Sequence, residues 1–199
     1  MSQNNKNAID VYEKYADEYL VSNTTRADDE ARKKMLTEHM DGLPKDAKIF
    51  EIGSAGGNDA KIMQSLGYSN ITVSDITPAF LRELEKKGFS PVKFDLVADN
   101  FTDKYDFVYC WAVLMHLTKD EARAGLHKIY DALNDGGKLL TCVKTGEVEE
   151  EMVDFRETTD KIYYSYWTRE ELEKYLRELG FKNIRIWEYG RWLDCCAEK

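Results

Sequence analysis

The segment Lys48-Ile-Phe-Glu-Ile-Gly-Ser-Ala-Gly-Gly-Asn-Asp-Ala60 constrains the fold more than any other stretch of the chain. Ile49 to Ile52 is a short apolar, β-branched run of the kind that forms a buried strand. It stops at Gly53, and Gly56-Gly57 let the chain turn sharply and lie against a ligand with no Cβ in the way. Ala60, Ile62, Met63 and Leu66 then recur at helical spacing, and Gly67 sits where a helix ends. Strand, glycine turn and helix together make the first unit of a doubly wound α/β sheet, with a ligand over the turn.

A dinucleotide fits this turn poorly. The G-x-G-x-x-G register from Gly53 needs glycine at positions 55 and 58, where the chain has Ala55 and Asn58. The pattern is instead acid-x-Gly-x-Ala-Gly-Gly, with Glu51 at the strand end. About twenty residues on, the β-branched run Ile71-Thr-Val-Ser-Asp75 ends in an acid that can grip both hydroxyls of a ribose. This pattern resembles the first motif, acid-x-Gly-x-Gly-x-Gly, of the class I S-adenosylmethionine (SAM)-dependent methyltransferases, in the version found in their small-molecule branch. Ala55 replaces the middle glycine of that motif.

The rest of the chain alternates strand and helix. Thr77-Pro78 opens a helix that stops at Gly88. Pro91 to Leu96 reads as a third strand ending in Asp95, and Tyr105 to Cys110 as a fourth, which empties into Trp111-Ala-Val-Leu-Met-His-Leu117. Thr118-Lys-Asp-Glu121 and Thr168-Arg-Glu-Glu171 are capping boxes opening two further helices. Lys138 to Val143 is a fifth strand, and Asn183 to Glu188 with Trp192 to Ala197 forms a terminal hairpin turning at Tyr189-Gly-Arg191. The expected fold is α/β: a Rossmann-like, doubly wound, mostly parallel seven-stranded sheet with a C-terminal antiparallel hairpin, like the methyltransferase sheet.

One domain is expected over residues 1–199. Residues 1–42 would be two lid helices, one from Ala8 to Leu20 and one from Asp28 to Met40, and residues 43–199 the sheet core. The connection 144–167 exceeds the usual loop length and is expected to be a lid or substrate wall. Its acidic run Glu147 to Glu151 reads as a solvated face.

Tyr12-Glu-Lys-Tyr-Ala-Asp-Glu-Tyr19 is similar to the Tyr-Asp-x-x-Ala-x-x-Tyr segment that opens many of these methyltransferases and folds over the cofactor. The resemblance implies SAM as cofactor, held by Tyr19, Glu51, Gly53, Ala55, Gly57, Asp75, Ile76, Asp95, Leu96, Cys110 and Trp111. Glu51 and Gly53 would meet the methionine end, Asp75 the ribose, Ile76 the adenine face, and Asp95 with Leu96 the adenine amino group. Each residue also has a plainer reading: a tyrosine stripe or Trp111 as packing, Gly53 as a turn, Asp95 as a surface residue. For Asp75 the plainer role is helix cap, which Thr77 already fills. Asp59 could cap its own helix.

In-line methyl transfer needs the acceptor aligned and water excluded. His116 is the histidine nearest the expected pocket, since His39 and His127 fall in helices away from the strand ends. With an ordinary pKa near ~6.5 it could take the acceptor's proton, or be a packed, hydrogen-bonded residue as in the family's apolar-Leu-His-His-Leu segment. Tyr164 is the second catalytic-site residue, and Tyr166 another acceptor contact, with core packing as the alternative for both.

The formal net charge of −9 argues against nucleic acid as a partner. No apolar run reaches membrane-spanning length, and the first residues lack the apolar core of a signal peptide. The four cysteines (Cys110, Cys142, Cys195, Cys196) show no metal-ligand spacing and read as reduced thiols in a cytoplasm, with no metal. The function that follows is SAM-dependent methylation of a small molecule at oxygen or nitrogen. A peptide or protein methyltransferase and a SAM-binding protein without turnover remain open beside it; Ala55 and Asn58 disfavour a nicotinamide dehydrogenase. The acceptor's identity and the oligomeric state are not encoded in any pattern found.

Overall fold

The computed structural model describes residues 3–24, 29–146, 148, 150–156 and 158–199. Helices and strands alternate on either side of the expected unit. Strand β1 (Ile49–Ile52) leads through the glycine turn into helix α4 (Asn58–Ser65), after the N-terminal helices α1 (Gln3–Lys14), α2 (Ala16–Thr24) and α3 (Asp29–His39). There follow β2 (Ile71–Asp75), α5 (Pro78–Lys86), β3 (Val92–Lys93) and β4 (Tyr105–Cys110). A 3₁₀ turn (Leu114–His116), α6 (Lys119–Ala132), β5 (Leu133–Lys144), β6 (Glu150–Asp154), β7 (Lys161–Ser165), α7 (Arg169–Leu179), β8 (Lys182–Tyr189) and β9 (Trp192–Glu198) complete the chain.

The main sheet has seven strands in the order β3-β2-β1-β4-β5-β9-β8. β1 pairs in parallel with β2 and β4, β4 in parallel with β5, and β9 runs antiparallel to both β5 and β8. The expected doubly wound sheet and its terminal hairpin are therefore present. The winding reverses between β1 and β4, and the carboxyl ends of those strands open a crevice there.

Strand periodicity divides the core. Phe50, Ile52, Val108, Cys110, Leu139 and Val143 face α6 and α7, where Leu126, Ile129, Leu172 and Leu176 are fully buried. Ile49, Phe107, Tyr109 and Leu140 point to the other face, against Leu36 and Met40 and against Met63 of α4. Burying each such large side chain contributes ~1.5–3 kcal/mol. Both expected capping boxes form: Thr118 Oγ1 accepts from the Glu121 N–H, and Thr168 Oγ1 from the Glu171 N–H, with each glutamate reaching back.

Several expectations need correction. Three N-terminal helices are described where two were expected; the first breaks at Tyr15, and Asp28, the expected start of the second, lies outside the described residues. The third strand pairs only at Val92–Lys93, at the sheet edge, because Phe94 and Leu96 turn down into the core and not along β2. The segment 144–167 is no open loop. It folds into the β6–β7 hairpin, which packs with Ala8 and Val11 of α1 around Phe155 and Ile162 as a separate small core. Of its acidic run, Glu147 and Glu149 lie outside the described residues.

Gly57 holds the turn to the helix it starts. Its φ is +73°, and a Cβ there would stand 2.8 Å from Leu84 Cδ2 and 2.9 Å from Phe89 Cε2. Gly57→Ala is therefore expected to destabilise the protein by about 2 kcal/mol and lower Tm by roughly 4–8 °C in thermal unfolding followed by circular dichroism.

Candidate active site

The crevice over the strand ends is a cavity of about 500 Å³, within the range of small-molecule sites. Its floor is the turn Gly53 to Gly56 with Asp75, Ile76, Asp95, Leu96 and the segment Trp111 to Leu117. Its roof comes from Tyr12 and Tyr19 in the N-terminal helices and from Phe155, Arg156 and Tyr164 of the hairpin. Lys144, Trp192 and Asp194, from β5 and β9, close the far side.

The floor is tied by one polar network. Asp75, 5% exposed, accepts from the Ala55 N–H at 2.9 Å through Oδ2 and from the Thr77 N–H at 2.8 Å through Oδ1. Burial nonetheless pushes its carboxyl above the usual range. The role expected of Thr77 is thus corrected: its side chain makes no cap bond to α5, and Asp75 takes the Thr77 N–H itself. The Thr77 hydroxyl and the Ile76 N–H act on the same carboxylate, and each of these bonds favours its ionised form against burial.

Ser54 Oγ donates to Glu51 Oε2 at 2.7 Å, and Ser74 Oγ donates to the Glu51 carbonyl at 2.7 Å. Glu51 is 2% exposed and does not belong to the cavity wall. Burial, together with nearby Asp59, pushes its carboxyl up to about 8. Where direct ligand contact was expected, Glu51 stands behind the turn and braces Ser54. Gly57 and Cys110 also lie outside the wall: the first packs on Leu84 and Phe89, and the second is buried, its carbonyl accepting from Thr141 Oγ1.

The remaining expected residues, Tyr19, Gly53, Ala55, Asp75, Ile76, Asp95, Leu96, Trp111, His116 and Tyr164, all line the cavity. Asp95 is 9% exposed and accepts from the Val97 N–H at 2.9 Å, so it shapes its own turn as well. Trp111 stacks on Tyr109, with ring centroids 5.6 Å apart. Backbone strain concentrates at this site. Ala55 (φ 44°), Ala112 (φ 57°) and Arg156 (φ 56°) are left-handed non-glycine residues, and all three line the cavity. Such conformations cost of order 1–3 kcal/mol each and persist where the surroundings fix them.

His116 is held at both ring nitrogens. Nδ1 lies 3.3 Å from the Tyr163 carbonyl, which can only accept, so Nδ1 carries the proton. Nε2, 3.1 Å from Tyr12 Oη, then accepts from the phenol. Burial pulls the imidazole down to about 4, and Lys144 pushes the same way. The histidine is neutral near pH 7, and its lone pair is already engaged.

Sequence reasoning missed Arg32, Asp59, Tyr12, Lys144, Arg156 and Asp194 as cavity residues. Asp59, in the first turn of α4, receives a two-pronged contact from Arg32 Nη1 (2.9 and 3.1 Å) and a hydrogen bond from Tyr109 Oη at 3.0 Å. Asp194, pushed up to about 6 by burial, accepts from the Trp187 side chain. The position of Lys144 at the end of β5 was the signal available for it.

Comparison with known proteins places this geometry. The chain matches the family model described as Methyltransferase domain over residues 12–186. Over 143 residues it is 26% identical to a probable S-adenosyl-L-methionine-dependent methyltransferase, TehB, of Haemophilus influenzae. That alignment covers 66% of this chain and 50% of the relative, so the chain spans about half the length of the curated relatives it matches. Among solved structures, the DhpI–SAH complex superposes with a TM-score of 0.80 at 17% identity, covering 99% of this chain and 98% of that one. The 1,6-didemethyltoxoflavin-N1-methyltransferase of Burkholderia thailandensis does so with a TM-score of 0.74 at 16% identity, covering 100% and 91%. With the family model spanning most of its length, this chain belongs to the methyltransferase domain family.

Proposed function

We propose that the protein is a SAM-dependent methyltransferase acting on an oxygen or nitrogen of a small molecule. The observation that carries this is the cavity floor, where Asp75, at the end of β2, lines the cavity and is tied through the Ala55 N–H to the Gly53–Gly56 turn. When bound there, SAM supplies an electrophilic methyl group on a sulfonium. In this reading Asp75 holds the ribose hydroxyls, Ile76 lies on the adenine, Asp95 and the Leu96 backbone meet the adenine edge, and Gly53 meets the amino-acid end. Tyr19 closes over the cofactor, and Trp111 walls the methyl. The residues fit such a cation, since carboxylates gather on this side of the cavity.

The small-molecule reading rests on size: α1, α2 and the β6–β7 hairpin roof a cavity of about 500 Å³, which suits a small acceptor. Relatives of the same fold act on such compounds; the Burkholderia enzyme was solved with 1,6-didemethyltoxoflavin bound, and CalS10 is described as an amino pentose methyltransferase. Residues 1–199 would then act as one domain, with residues 1–42 as lid and 144–167 as acceptor wall. Among the described residues no helix is long and apolar enough to cross a membrane. The four cysteines are buried and free, which supports a reducing cytoplasmic setting. An acidic chain offers little to nucleic acid.

His116, in this reading, fastens the lid to the hairpin through Tyr12 and Tyr163 and is not the base. Tyr164 contacts the acceptor.

Two measurements test these assignments. SAM or S-adenosylhomocysteine should raise Tm of the wild type by several degrees, as expected for ligand well above its Kd (~2.7 kcal/mol at a hundredfold excess); Asp75→Ala should abolish the shift. A wild type indifferent to both compounds would end the methyltransferase reading. For His116, the unfolded pKa is ordinary and the folded one is lowered to about 4, so its contribution to stability is whole above the unfolded value and is lost as pH falls. The stability advantage of the wild type over His116→Gln should thus shrink by the order of 1–3 kcal/mol between pH 7 and pH 4 in urea titrations. An advantage that does not change with pH would show that the imidazole is not held neutral.

A further inference from the structure

Among the described residues, the acids that line the cavity are Asp59, Asp75, Asp95 and Asp194. Three of them serve the frame. Asp59 is paired with Arg32, Asp75 ties the glycine turn, and Asp95 accepts from the Val97 N–H. Asp194 lies elsewhere, on β9, three places along the sheet from β1.

Register fixes where its carboxylate stands. Asp194 is opposite Cys142 on β5 and opposite Trp187 on β8, and directly opposed residues of antiparallel strands share a face. From that face the Cys142 thiol accepts the Ala112 N–H at 3.1 Å. Ala112, held at φ 57°, and its neighbour Trp111 belong to the cavity wall after β4. Two strand spacings, roughly 10 Å, thus separate the Asp194 backbone from β4. Trp192, two residues earlier on β9, and Tyr189, opposite Trp192, share this face and line the cavity too. With Trp111, they give this side aromatic walls that suit a flat ring.

The carboxylate is fixed from behind and open in front. The Trp187 side chain donates to it, and His39 stacks on Trp187 with ring centroids 4.7 Å apart. Asp194 is only half-buried and forms part of the cavity wall. Burial raises its carboxyl to about 6, against the indole bond and the field of Arg32. The charged or titratable groups facing it are Arg32 of α3, itself paired with Asp59 of α4, and Cys142 and Lys144 of β5. Near pH 7 Asp194 is ionised yet basic enough to take a proton. His116 is less suited, because its Nε2 lone pair already receives the Tyr12 phenol.

Resting on the methyltransferase reading, we infer that Asp194 takes the acceptor's proton and that the acceptor is an arylamine, a flat ring carrying an uncharged N–H nitrogen, seated between Trp111 and the β8–β9 hairpin. An alkyl amine arrives protonated, with no lone pair to attack, and an alkyl alcohol holds its proton too tightly for a carboxylate to draw. An arylamine arrives neutral. Its nitrogen lone pair forms the new N–CH₃ bond as the C–S bond breaks with its electron pair passing to sulfur. The nitrogen, now cationic, releases its N–H proton to the Asp194 carboxylate, which returns it to water.

The test follows Tm of the protein saturated with S-adenosylhomocysteine as aniline, N,N-dimethylaniline or benzylamine is added at constant ionic strength. Aniline should give a saturable rise, with an apparent Kd at least about tenfold tighter than either of the others, one lacking an N–H and one cationic. Its affinity should strengthen several-fold from pH 5.5 to pH 7.5 as Asp194 ionises. Asp194→Asn keeps an oxygen for the Trp187 donor; it should lose both the pH dependence and the N–H preference while keeping the wild-type response to S-adenosylhomocysteine. With methyl-labelled SAM, the wild type should label aniline, and Asp194→Asn should do so at least about a hundredfold more slowly. Equal binding of N,N-dimethylaniline, tighter binding of benzylamine, a pH-independent aniline response or unlabelled aniline would overturn the inference. So would a folded Asp194→Asn that no longer responds to S-adenosylhomocysteine, since Asp194 would then serve the cofactor. A wild type indifferent to S-adenosylhomocysteine would instead strike the methyltransferase reading beneath it.

Discussion

The site depends on how the end of β1 is fastened to the end of β2. Backbone pairing stops at Ile52–Ser74, and beyond it the chain must hold a glycine turn open against a cavity. Side chains take over where the ladder ends. The Ser54 N–H donates to the Ser74 carbonyl at 2.8 Å, Ser74 N–H to Ser54 Oγ at 3.1 Å, and the Ala55 N–H to Asp75 at 2.9 Å. Buried donors without partners would each cost about 1–3 kcal/mol, so the serines and Asp75 are what make the open turn tolerable. The same bonds place the Asp75 carboxylate on the cavity floor, so one set of contacts both stabilises the turn and points its acid at the ligand.

The roof is built on a different principle. α1 and the β6–β7 hairpin share a small core around Phe155 and Ile162, separate from the two cores that flank the main sheet. Tyr12 meets Tyr19, Phe80, His116 and Phe155 with ring centroids 5.2–5.9 Å apart, so one side chain of α1 touches lid, floor and hairpin together. Outside this cluster the lid is held by exposed pairs such as Lys14–Asp160 at 2.5 Å and Glu13–Arg82 at 2.9 Å, which contribute little individually. Because its core is separate from the two that flank the sheet, the roof can shift without disturbing the strands beneath it.

Legibility follows the same division. The turn at Gly53 to Gly57, both capping boxes and the Tyr189–Arg191 hairpin were readable because each is written in adjacent residues whose chemistry is local. The Arg32–Asp59 pair spans 27 positions and the Tyr12–His116 bond spans 104, and neither leaves a trace in periodicity. β6 was invisible because Glu150-Glu-Met-Val-Asp154 lies with alternate residues exposed and carries three acids, so its apolar content is too small to announce a strand. At β3 the opposite error occurred: the apolar residues Phe94 and Leu96 signalled burial, and burial was mistaken for pairing. Glu51 was correctly found at the end of β1, but pattern alone could not reveal that Ser54 and the wall of the turn stand between it and the cavity.

Protonation decides which of the clustered acids the ligand meets. Asp59 lies close enough to Glu51 to add to what burial already does, and the Glu51 carboxyl is pushed up to about 8. Asp59 is served from two sides by Arg32 and Tyr109. With Glu51 neutral and Asp59 matched by Arg32, the negative charge that the turn itself directs into the cavity is that of Asp75. A second ionised acid behind the turn would be paid for in stability without reaching the ligand. The polar network therefore leaves Asp75 as the acid that the turn itself presents to the ligand, with Asp95 beside it in the cavity wall.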